Sequence, residues 1–161
     1  MKNLITLIVI ISGSVPLLRA QSDAGVLCNT SMRALAGTAE ESAITGFVIR
    51  GGAPLVLVRV VGPSLSAFGV KNYAVRPKFL VYDSKGQVVG SGRAVQTLGD
   101  EWEKPFIFGV MNRCGAFALP WDSEDAVAYL PLQPGAYTIV AESGGNDVGV
   151  VLTEVYLDPG A

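Results

Sequence analysis

The chain predicts an all-β fold. The expected architecture is an antiparallel β-sandwich of jelly-roll or immunoglobulin-like type, with eight or nine strands and at most one short helix. Three observations predict it. Apolar residues come in runs of strand length rather than helix length. Gly, Pro and Asn clusters separate those runs at the spacing of sandwich turns. Nothing repeats at a fixed period, which argues against a solenoid or propeller.

The N-terminus comes first in the element order. Residues 1–20 read as a secretory signal: Lys2 supplies the charge, Leu4 to Ile11 the apolar stretch, and Leu18-Arg19-Ala20 the small-residue end. Ser12-Gly13-Ser14 and Pro16 break the apolar stretch, which is short for a bilayer span. Cleavage is expected after Ala20, leaving residues 21–161 as a single domain with no internal linker. After Ala20 no stretch is apolar enough for a transmembrane helix.

Val26 to Leu35 reads as the first strand and Ala43 to Ile49 as the second, with Gly46 as a candidate bulge. Gly51-Gly52-Ala53-Pro54 turns the chain into Leu55 to Val61, a near-continuous aliphatic run expected to be covered on both faces. Gly62 to Pro77 is a long connection, with Leu65, Phe68 and Val70 to pack it down. Phe79 to Tyr82 and Gln87 to Gly90 form a hairpin around Asp83-Ser84-Lys85-Gly86. Residues 92–104 are polar and irregular. Pro105 to Cys114 suits a helix, with Pro105 in the first turn and Gly115 at the stop, but its apolar residues fit a strand equally. Ala126 to Leu132, Ala136 to Glu142 and Val148 to Leu157 complete the strands, the last two joined through Ser143 to Asp147.

Composition excludes several chemistries. Histidine is absent, which removes Ser-His-Asp and Cys-His pairs, imidazole zinc sites and the commonest general base near neutral pH. The net charge is −2, and becomes −4 when Lys2 and Arg19 leave with the signal. That acidity argues against nucleic acid or an anionic membrane as partner. Ser64 follows Gly62-Pro63 but lacks the Gly-x-Ser-x-Gly pattern of a nucleophile elbow. A carboxylate pair of the glycosidase kind would need a cleft that a small sandwich hardly provides. No enzymatic activity is expected.

The central strand carries one cation. Arg59 inside an aliphatic run must reach water, a carboxylate or a ligand. Either it binds a ligand at the sheet surface, or it pairs with a carboxylate of a neighbouring strand, Glu154 first and Asp125 second, and so sets strand register. The two cysteines, Cys28 and Cys114, read as one disulfide in an exported protein, with two buried thiols as the alternative. The bond would close a loop of about 87 residues, worth roughly 4–5 kcal/mol in the chain-entropy model.

Three segments complete a pattern: Gly46-Phe47-Val48-Ile49, then Val58-Arg59-Val60-Val61-Gly62-Pro63-Ser64-Leu65 with Phe68-Gly69-Val70, and finally Leu132 to Thr138 leading to Val151-Leu152-Thr153-Glu154-Val155-Tyr156, with Gly115-Ala116-Phe117-Ala118-Leu119 between them. Together they resemble bacterial secreted β-sandwich domains with R-A-V-G-P-S-L, G-A-F-x-L and P-G-x-Y-T…E-V-Y elements, of the pre-peptidase C-terminal kind. The resemblance covers nearly all of the chain after the signal. It implies an accessory or repeated module of extracellular proteins and no catalytic role. The chain departs from the pattern at Phe106 to Met111, where an Ala-rich stretch is expected.

Two surface constellations remain as ligand candidates. Trp102, Trp121 and Tyr73, with Tyr82, offer flat faces for sugar rings, against core-edge packing as the alternative. Asp122, Glu124 and Asp125 could ligate calcium, against a solvated turn; no other cofactor is implied. The expected role is a non-catalytic binding or structural module in the periplasm, at the cell surface or outside the cell, recognising polysaccharide or protein. The rival is a self-assembling subunit that pairs through an edge strand, with Gln21 to Leu27 as a candidate added strand.

Overall fold

The computed structural model describes residues 28–145 and 148–160. The expected signal over 1–20 and the candidate added strand over 21–27 lie outside the described residues.

Nine strands form two antiparallel sheets. They are β1 (Asn29–Ala36), β2 (Ala43–Ile49), β3 (Leu55–Val61), β4 (Pro77–Asp83), β5 (Val88–Ser91), β6 (Arg93–Ala94), β7 (Ala126–Pro131), β8 (Gly135–Ser143) and β9 (Gly149–Leu157). One sheet runs β1-β9-β3-β7-β6, the other β2-β8-β4-β5. Between β5 and β6 the chain passes from the smaller sheet to the larger at Gly92, whose N–H donates to the Phe79 carbonyl at 3.0 Å. This is a β-sandwich with one α-helix, α1 (Glu103–Arg113).

The β3 sequence explains its place at the centre of the larger sheet. Side chains alternate across a strand, so Val56, Val58 and Val60 point one way while Leu57, Arg59 and Val61 point the other. The first set packs between the sheets with Phe79, Val81, Ile139, Ala141, Val151 and Val155. The second set packs on the far face, where Leu57 and Val61 meet Leu65, Val95, Leu98, Val110, Met111 and Leu119. The strand is apolar on both sides because both sides are covered.

The second cover is made by α1 and the long connections. Residues 105–113 are helix, which removes the strand alternative for this segment. Ile107, Val110 and Met111 are buried at helical spacing, and Gly115 takes the left-handed conformation (φ 70°) that ends the run. The connection after β3 opens with a 3-10 turn over Pro63–Phe68 and lies flat, so that Ala74 is fully buried. Its entry requires glycine, since a Cβ on Gly62 would run into the Ala74 carbonyl.

One local expectation is corrected. Gly46 is not a bulge: the β2–β8 register runs unbroken from Ala43↔Ala141 to Ile49↔Gly135. The register shift lies in β4–β5, between Val81 and Tyr82. Gly46 sits on the exposed face of an edge strand, where absence of a side chain needs no bulge to explain it.

Candidate functional site

The chemistry gathers on the outer face of the five-stranded sheet, under α1 and the loops. Arg59 on β3 stands directly opposite Glu154 on β9. Its side chain is completely buried. Nε and Nη2 donate to Glu154 Oε2 at 2.9 and 2.5 Å, and Nη1 donates to the Phe117 carbonyl at 2.6 Å. The other carboxylate oxygen, Glu154 Oε1, accepts from the Tyr156 hydroxyl at 2.7 Å. The Phe117 ring lies over the guanidinium at 4.4 Å and the Tyr156 ring at 5.7 Å. Burial and the hydrogen bond to Glu154 push the Tyr156 phenol well above its usual range. The cation is enclosed by protein and offers no donor to a ligand.

Asp125 serves a different end. Its carboxylate accepts from the Gly62 N–H at 2.6 Å and from the hydroxyls of Ser64 and Ser123. The side chain is fully buried, and it pins the Gly62-Pro63-Ser64 turn at the end of β3. The second-choice partner for Arg59 is thus engaged by backbone and hydroxyl donors, and the expectation of Asp125 as a calcium ligand is corrected. Its oxygens are already taken by neutral donors, while Asp122 stands exposed. Asp122, Glu124 and Asp125 do not converge: among the described residues no group of three or more His, Cys, Asp or Glu side chains is placed to hold a metal ion.

A third polar centre was not anticipated. Asp158, directly after β9, accepts from Arg113 Nη2 at 2.7 Å, from the Tyr129 hydroxyl at 2.5 Å and from the Gly160 N–H at 2.9 Å. It ties the C-terminal end of α1 to the sheet. The Arg113 hydrogen bond, helped by Tyr129 and Gly160, holds the Asp158 carboxyl far below the usual carboxylate range. Burial, then the bond to Asp158, raises the Tyr129 phenol to about 12. The sequence signal was weak: an aspartate after the last strand reads as a turn residue.

The disulfide is also corrected. No bond joins Cys28 and Cys114. Both flank Leu157, whose N–H donates to the Cys28 carbonyl at 2.9 Å while the Cys114 thiol donates to the Leu157 carbonyl at 3.8 Å. Cys114 thus faces the backbone of β9, and burial raises its thiol above the ordinary range.

The three aromatic candidates separate. Trp102, at the start of α1, is 72% exposed and lines a groove of about 290 Å³ with Phe106, Tyr129, Arg93 and Glu103. Phe106 is itself 47% exposed and packs edge-on against Tyr129, centroids 5.5 Å apart. Arg93 and Glu103 pair at 2.6 Å along the same groove. Trp121 does not line that groove; it is 46% exposed and partly engaged. Its indole N–H donates to Asp100 at 3.2 Å, its ring contacts Phe108, and the Lys104 ammonium sits 5.0 Å above it. The Lys104 hydrogen bond and charge lower the Asp100 carboxyl. Tyr73 packs against the second core and bridges to Val150. Tyr82 is half-buried on the outer face of the other sheet.

No protein-family model matches this chain, and no curated protein matches it. Among solved structures it is similar to the pre-peptidase C-terminal domain of a collagenase from Bacillus anthracis. The two share 12% identity at a TM-score of 0.47, over 80% of this chain and 89% of that one. At that distance the likeness assigns neither a family nor an activity. Among the described residues, no helix is long and apolar enough to cross a membrane.

Proposed function

We propose that the chain is a non-catalytic binding module of an exported protein, and that it recognises polysaccharide through the Trp102–Phe106 groove. The observation that carries this reading is the open indole of Trp102 beside a second exposed ring. Flat aromatic faces stack on the apolar faces of sugar rings. Arg93 and Glu103 supply donors and acceptors for hydroxyls at the edge of the same groove. Phe106 stands on α1 and Trp102 directly before it, and the helix is fixed by a packed core, so the platform is organised before ligand arrives. Export is supported by the composition of residues 1–20.

A non-catalytic role is supported by the engagement of the acids. The buried acids are occupied by Arg59, Arg113 and backbone or hydroxyl donors, and the sequence holds no histidine. Glycan-array screening followed by calorimetry on the best hit tests the reading. Trp102→Ala is expected to weaken binding at least tenfold, and Trp121→Ala much less. A wild-type protein that binds no glycan removes polysaccharide as the ligand.

A further inference from the structure

Among the described residues, strand β2 is an edge strand without protection. Its seven residues, Ala43-Ile44-Thr45-Gly46-Phe47-Val48-Ile49, include no charge and no proline. On one side it pairs with β8; no backbone hydrogen bond to any other described residue satisfies its outer edge. Ile44 and Val48 are each 63% exposed on the outer face of the sheet. Ile44 continues across the sheet through Val140 to Leu80, forming one apolar row. Natural edges are normally blunted by a charge, a proline or a bulge. This edge has none of the three.

From these features we infer that β2 pairs with β2 of a second copy of this chain, joining the two four-stranded sheets into one of eight strands. The register is dictated by the strand. A two-fold axis that overlaps the full length of Ala43–Ile49 antiparallel passes through Gly46. Ile44 of one copy then faces Val48 of the other, twice by symmetry, and β-branched cross-strand pairs of this kind stabilise sheets. Gly46 meets Gly46 at the axis.

Charge complementarity favours the same register. One residue beyond the strand, Arg50 of each copy stands opposite Ser42 of its neighbour. Ser42 lies next to Glu41, and its hydroxyl is 3.4 Å from Glu142. Arg50 and Glu41 are exposed, and neither forms an ion pair within the chain among the described residues. Pairing in this register brings each unpaired cation to an unpaired carboxylate. The Trp102 groove lies by β6 and β7, at the opposite edge of the sandwich, so a dimer would present two such grooves.

Sedimentation velocity from about 1 µM to 1 mM tests the inference, because a contact one strand deep is expected to exchange with concentration. The wild type should behave as monomer and dimer in equilibrium. Val48→Lys should weaken association at least tenfold, and Arg50→Glu should weaken it less and be rescued by Glu41→Arg in the same chain. A second readout does not depend on these variants. In a Cys28→Ser, Cys114→Ser background, Gly46→Cys places two thiols on the axis. Directly opposed strand residues are about 4.5–5.5 Å apart at Cα, within the range of about 4.4–6.8 Å that a disulfide spans. A Cβ at Gly46 meets nothing nearer than the Tyr137 carbonyl at 3.8 Å, so the substitution fits. Oxidation should link the copies through Gly46→Cys and not through Leu80→Cys, in the middle of the sheet. A wild type that stays monomeric throughout, a dimer indifferent to Val48→Lys, or linkage at Leu80→Cys instead of Gly46→Cys overturns the inference.

Discussion

The two sheets treat their outer faces in opposite ways. The five-stranded sheet hides its outer face under α1 and the long connections, and buries a cation there. The four-stranded sheet leaves Ile44, Val48, Leu80 and Val88 open to solvent. The difference follows from where the chain spends its length. The connections from 62 to 76 and from 95 to 125 both leave strands of the larger sheet and pack over its outer face. The smaller sheet has one internal link, the tight turn from Asp83 to Gln87, where the Asp83 side chain accepts from the N–H groups of Lys85 and Gln87. A covered face can hold polar groups in fixed places. An open apolar face is free to be covered by something else.

Stability measurements should separate these faces sharply. The largest effect is expected at Glu154. Glu154→Ala strands the Arg59 guanidinium in a buried site and should cost about 3–5 kcal/mol in urea denaturation. Replacing both partners by Arg59→Met and Glu154→Leu should recover much of that loss, since an apolar pair leaves no charge behind. Asp125→Ala comes next. It leaves the Gly62 N–H and two hydroxyls without their acceptor and should cost about 2–3 kcal/mol.

Asp158 adds a dependence on pH. Its carboxyl is held below the usual range in the folded protein, so its contribution is complete above the unfolded value of about 4 and fades as pH falls below that. Asp158→Asn should therefore cost about 1–2 kcal/mol at pH 7, and the gap from wild type should narrow in denaturation at pH 3.

Between the sheets lies an orphan. The Thr153 hydroxyl is buried with no hydrogen-bond partner among the described residues. Thr153→Val keeps the shape and removes the cost, and a gain of about 1 kcal/mol is expected in the same assay. The smallest effect belongs to the open face: Leu80→Thr should change monomer stability by no more than about 0.5 kcal/mol. A large loss there would mean that the face is already covered in solution.

Much of this fold was legible in the residues. The bounds of β2 and β3 can be read directly, because period and punctuation agree there. The two-sided burial of β3 is equally legible, since only a strand covered twice can be apolar at every position but one. The 105–113 segment was not, because Phe106, Ile107, Phe108 and Val110 satisfy both periods over so short a run. It became helix where burying Ile107, Val110 and Met111 against β3 and β7 required the helical spacing. The aromatic candidates show the same boundary. Composition offers Trp102 and Trp121 equally, yet one stands open beside Phe106 while the other, though still part-exposed, is engaged by Asp100, Lys104 and Phe108.

By itself the sequence determined the strand pattern, the absence of imidazole chemistry and the demand that Arg59 find a counter-charge. Those follow from local periodicity and from the cost of an unpaired charge, which act wherever the chain goes. Only the tertiary structure decided which acid answers Arg59, that Asp125 holds a turn instead, that Asp158 anchors the helix, and which sheet is left uncovered. Each of these depends on residues tens of positions apart meeting across strands and loops. Register and chain path choose such partners; composition does not.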